Sequence, residues 1–63
     1  MSKLFPVQPA NLQVGDTLIT HNASSTVIAI DGPDRIGTYD VFTIDKSGNR
    51  HIEILTDIVT IEM

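Results

Sequence analysis

The sequence predicts an all-β domain, a small antiparallel barrel of five to six strands, and three observations carry that expectation. Isoleucine (9), threonine (7) and valine (5) make up one third of the 63 residues, which is strand composition. Apolar side chains recur at every second position in several short runs, and turn residues separate those runs. No stretch between the breaks is long enough for a stable helix. Short strands and short turns without helices imply a small closed or nearly closed barrel.

The elements follow in order. Met1 to Gln8 is an extended lead-in, with Phe5 and Val7 in a short edge strand where Pro6 is tolerated. Pro9-Ala10-Asn11-Leu12 reads as a turn or a single helical turn. Gly15 and Asp16 then launch the first long strand: Gly15 takes φ > 0 without steric cost, and Asp16 bonds the backbone just ahead of it. The second strand runs from Thr17 to His21 and ends in Asn22-Ala23-Ser24-Ser25. The third runs from Thr26 to Asp31. Gly32-Pro33-Asp34-Arg35-Ile36-Gly37 is the strongest break, a mobile loop between two glycines. A fourth strand, Thr38 to Asp45, pairs with a fifth, Arg50 to Leu55, through the loop Lys46-Ser47-Gly48-Asn49. Thr56-Asp57 forms a corner before the final strand, Ile58 to Ile61. With no repeat, linker or low-complexity segment, residues 1–63 read as one domain.

Alternation assigns faces to these strands. Phe42 with Ile44, Ile52 with Ile54, and Val59 with Ile61 each share one side, and Leu18, Ile28 and Ile30 complete the same core. That choice turns Ile19, Val27, Tyr39 and Val41 outward, a set more apolar than a lone monomer needs. Scattered apolar residues on a surface are ordinary. A contiguous set marks an interface, so these four are the candidate protein-contact residues.

Val14-Gly15-Asp16, followed by Thr17-Leu18-Ile19, a turn and Thr26-Val27-Ile28-Ala29-Ile30, resembles the opening of Src-homology-three-like small barrels. KOW-type translation and transcription modules look similar here, as do short accessory proteins of tailed bacteriophages. The resemblance covers about half the chain and implies the barrel alone, since such folds serve many functions. Two departures separate the chain from the binding modes of those groups. KOW-type modules that touch RNA tend to be basic, and this chain is acidic. A groove for Pro-rich ligands needs several exposed aromatics, and only Phe5, Tyr39 and Phe42 are present.

Charge and composition narrow the function classes. Eight acidic residues face four basic ones, and a net charge of −4 repels phosphate, which makes nucleic acid an unlikely partner. No apolar run approaches the ~20 residues of a membrane span, and Pro6 and Pro9 interrupt any signal-like segment. A soluble, cytoplasmic protein is the simplest expectation. The chain has no cysteine, so neither disulfides nor most zinc sites are available to stabilise so small a domain. Burial against a second copy or a target remains.

His21 and His51, with Asp16 or Asp57, lack the short spacing of metal ligands and read as exposed strand histidines. Residues 45–53 place oxygens at alternate positions like a calcium loop, but Gly48 comes two places early, so a hairpin loop is the reading. Asp31-Gly32-Pro33-Asp34-Arg35 pairs carboxylates with a cation, and a barrel this small has little interior in which to separate their pKa values. Recognition suits that loop better, with Arg35 as directional donor and Ile36 as apolar tip. No nucleophile–base motif, phosphate loop or dinucleotide fingerprint occurs, so no enzyme and no cofactor is expected. The resulting expectation is a non-catalytic protein-binding module, self-associating or docking on a larger host protein in an accessory or inhibitory role. The alternatives are a KOW-type nucleic-acid module using Arg35, Lys46, Arg50, Tyr39 and Phe42, and a small-ligand binder at a subunit cleft.

Overall fold

The computed structural model describes residues 3–20 and 23–63. Six antiparallel strands form one sheet: β1 (Leu4–Val7), β2 (Thr17–Thr20), β3 (Ala23–Asp31), β4 (Tyr39–Asp45), β5 (Arg50–Leu55) and β6 (Val59–Glu62). Their order is β1-β6-β2-β3-β4-β5, so β1 and β5 are edges and the sheet does not close into a barrel. The barrel expected from the sequence is therefore left open between β1 and β5. The strands nevertheless curl round one shared interior, and the molecule measures 36 × 24 × 19 Å.

The first turn of chain is a 3-10 segment over Pro9–Asn11, in which the N–H of Asn11 donates to the carbonyl of Gln8 at 2.9 Å. It delivers Leu12 over the interior as a lid, buried with Leu18, Val27, Val41 and Ile61. The next corner is built as its residues dictate. Gly15 has φ +101°, the third-position geometry of a type II turn. Asp16 turns its carboxylate back to accept the Gln13 N–H at 2.9 Å. The same corner clasps one residue of β3: Gly15 N–H donates to the Val27 carbonyl and Val27 N–H to the Asp16 carbonyl, each at 2.8 Å.

Next to that clasp lies the feature that reassigns the faces. Val27 pairs with Thr43 and Ala29 with Phe42, leaving Ile28 as the extra residue of a β-bulge. One inserted residue shifts the side-chain period by one. Ile30 therefore joins Val27 against the core, while Ile28 is exposed. Across the ladder the inward set of β4 is Tyr39, Val41 and Thr43, with Val27 at 1% and Val41 at 0% exposure. The expected orientation of β4 and β5 is thus reversed. Phe42 and Ile44 are half-buried on the outer face, and Ile52 and Ile54 on β5 are exposed at 62% and 68%. Leu18, Ile30, Val59 and Ile61 do face the interior as alternation assigned them.

Strand β3 also begins earlier than composition suggests. Ala23, Ser24 and Ser25 have weak strand preference, but they face Thr20, Ile19 and Leu18 across the β2–β3 ladder, and backbone pairing overrides propensity. The expected end of the second strand at His21 and the Asn22 turn lie outside the described residues.

Two turns bracket β4, and they are the same structure. In Asp45–Asn49 the Asp45 N–H donates to the Asn49 carbonyl at 2.9 Å, and Gly48 N–H to the Asp45 carbonyl at 3.0 Å. Asp34–Thr38 repeats both bonds, at 3.0 Å and 3.1 Å. In each, the aspartate Oδ1 accepts two further N–H groups, from Ile36 and Thr38 or from Ser47 and Asn49. Each ends on a glycine at positive φ, Gly37 at 84° and Gly48 at 87°. This is a type I turn closed by a G1 bulge. Within the segment from Gly32 to Gly37, expected as a mobile loop, Asp34 to Gly37 are braced by these four bonds.

Candidate functional site

The reversed faces relocate the exposed apolar surface. Of the predicted contact residues, Val27 and Val41 are in the core and cannot touch a partner. Tyr39 is half-buried against that core. Ile19 lies opposite Thr60, on the face away from Leu18, and is half-buried. Arg35 and Ile36 stand out at the tip of the first braced turn, Ile36 at 84% exposure. The structure does not bring these six residues together.

It assembles a different group. On the outer face of β3, β4 and β5, Ile28, Ala29, Phe42, Arg50, His51 and Ile52 line a mostly apolar depression of about 470 Å³. Each residue arrives there by register: Ala29 faces Phe42, and Phe42 faces Ile52, so a three-strand row crosses the sheet. The bulge adds Ile28 to that row from the side. Ile54, opposite Asp40, extends the apolar surface along β5. Sequence alternation identified Phe42, Ile52 and Ile54 as one set and placed it inside. The signal that was missing is the bulge at Ile28, for which the β-branched run Thr26-Val27-Ile28-Ala29-Ile30 offers no mark such as a glycine.

Polar groups at the rim are few. His51 Nε2 lies 3.0 Å from Asp45 Oδ2. That contact, with the Asn49 and Ser47 N–H groups, holds the Asp45 carboxyl below the usual carboxylate range, against a smaller opposing effect of desolvation. The second braced turn is thereby tied to the start of β5. At the far end of the sheet Asp31 and Asp40 stand directly opposite each other, two like charges on one cross-strand pair. Among the described residues no three His, Asp or Glu side chains group so as to hold a metal ion. His21, the other histidine considered, lies outside the described residues.

Chemically the depression offers apolar contact, one aromatic face and the Arg50 guanidinium. No family model matches the chain, and no curated protein matches it. Among the described residues no helix is long and apolar enough to cross a membrane.

Proposed function

We propose that the protein is a non-catalytic protein-binding module, a small accessory or inhibitory protein that covers a surface of a larger protein with the outer face of β3, β4 and β5. One observation carries this reading: Ile28, Phe42, Ile52 and Ile54 gather on one outer face instead of entering the core. A contiguous apolar patch rimmed by polar groups is the ordinary signature of a protein contact. The net charge of −4 favours basic partner surfaces and disfavours phosphate, which counts against the nucleic-acid alternative.

The proposal extends to kinship and setting. The Val14-Gly15-Asp16 corner and the antiparallel return of β3 on β2 support reading the sheet as an opened relative of Src-homology-three-like barrels, in the manner of phage accessory proteins. The cytoplasm is the place of action in this reading.

The test uses exposed positions whose loss leaves the core intact. Immobilised wild-type protein retains a partner from lysate, and Ile28→Ser with Ile54→Ser releases it. Ile36→Ser, at the turn tip, leaves retention unchanged. Retention undiminished by the outer-face substitutions sinks the reading.

A further inference from the structure

The two edges of the sheet are not equivalent. Lys3 and Met63 exchange both backbone hydrogen bonds, at 3.0 Å and 2.9 Å, which sets the alternation along the β1–β6 ladder. Phe5 and Val7 then bond inward to β6, while Leu4 and Pro6 direct their backbone to the free edge. Proline has no N–H, so β1 offers an incoming strand a single donor, at Leu4. Strand β5 has no such guard. The Asp45 N–H to Asn49 carbonyl bond sets its phase, so His51, Glu53 and Leu55 bond to β4. Arg50, Ile52 and Ile54 hold their N–H and C=O toward the open side. Six residues long, without proline or bulge, β5 is an unprotected edge.

We propose that β5 pairs antiparallel with β5 of a second copy about a twofold axis at Ile52, joining two sheets into one and fusing their outer apolar faces. The inference rests on the outer face being a contact surface and names a second copy as its first partner. Antiparallel pairing about a twofold axis keeps like faces together. With Ile52 opposite Ile52, Arg50 of each copy faces Ile54 of the other. All three outward backbone pairs are then satisfied, for about six hydrogen bonds.

Charge selects this register over its neighbours. His51 of each copy stands opposite Glu53 of the other, on both sides of the axis, so each imidazole lies between Asp45 and a partner carboxylate. Arg50 lies in line with Ile54 of the other copy and, one strand further, with that copy's Asp40, the nearer member of the Asp31–Asp40 pair. Two strand spacings are about 10 Å, within the combined reach of an arginine and an aspartate. The like-charged pair at the end of the sheet thus gains a cation. Sliding the register by two residues one way sets Glu53 against Glu53. Sliding it the other way sets His51 against His51 and leaves Ile54 unpaired.

Sedimentation and amide exchange test this together. The wild-type chain is expected at twice its 6.9 kDa mass, with slow exchange at Arg50, Ile52 and Ile54. Ile52→Pro removes only an outward N–H, as Pro6 does on β1, and is expected to halve the mass and free those three amides while the circular dichroism stays that of the wild type. Ile52→Lys, which keeps the backbone donor but sets two cations on the axis, is expected to do the same and serves if the proline variant does not fold. A wild-type chain sedimenting as a single copy overturns the inference, and so does a dimer whose Arg50, Ile52 and Ile54 amides exchange freely. In either case partner loss in the Ile28→Ser and Ile54→Ser variants still upholds the docking face. A dimer with slow edge amides whose outer-face variants retain every partner upholds the pairing and removes the docking.

Discussion

Thr43 is the residue at which this core is least complete. It is fully buried between Val41 and the second braced turn, and among the described residues its hydroxyl has no hydrogen-bond partner. A buried, unpaired hydroxyl carries its full desolvation penalty. Thr43→Val, which keeps the branched shape, is expected to stabilise the fold by about 1 kcal/mol, raising the melting temperature by about 4–8 °C for a domain of this size. Asp45 makes a second prediction at this scale. Its carboxyl is held below its ordinary value of 3.8, first by His51 and then by the Asn49 N–H. The folded chain therefore favours the ionised form. That contribution is complete above the ordinary value and is lost as pH falls through the lower folded one. Asp45→Asn is expected to melt below the wild type at neutral pH and to converge with it in acid, read from thermal melts across pH.

At the scale of elements, the repeated turn and the bulge matter most. Asp-cation-x-Gly occurs at 34–37 and again at 45–48, and each copy folds into the same braced reversal at one end of β4. The pair holds β4 at both ends, so the central strand of the outer face is fixed in register. Gly48 has open space where a Cβ would go, so its requirement is conformational. Gly48→Ala is expected to cost about 1 kcal/mol from the left-handed backbone alone, and Gly48→Asn less, both measured by urea unfolding. The Asp, Gly and turn positions were legible from residue chemistry, since only a few side chains make those bonds. The shared motif was in the sequence too, in its spacing. The bulge was not, because Ile28 is as apt for a regular strand as for an inserted position. The bulge lets Val27 and Ile30 both face the core, opposite Thr43 and Val41.

For the whole molecule the consequence is a small core and a large apolar exterior. Leu12, Leu18, Val27, Val41 and Ile61 are the buried apolar set. In a domain near the lower limit of independent stability, a single cavity is a large fraction of the total. Leu18→Ala is expected to lose about 3 kcal/mol and to unfold much of the population at physiological temperature. Ile54→Ala, of similar chemistry on the outer face, is expected to stay within about 0.5 kcal/mol in the separated chain. Chemical unfolding of the two variants checks the contrast. If Ile54→Ala proved as damaging as Leu18→Ala, the outer face would belong to the core and the docking proposal would fall.

Taken alone, the amino-acid sequence determined that the chain is all-β, where the breaks at 32–37 and 46–49 fall, which residues shape the Gly15–Asp16 corner, and that Leu18, Val59 and Ile61 look inward. Those are local properties, set by side-chain sterics, short-range hydrogen bonds and a two-residue period. Only the tertiary structure decided which side of β4 and β5 is inside, that β1 and β5 remain unpaired edges, and that Ile28, Phe42, Ile52 and Ile54 share an outer face. These depend on how strands far apart in the chain fall into register, and a period of two gives the same pattern whichever face is buried.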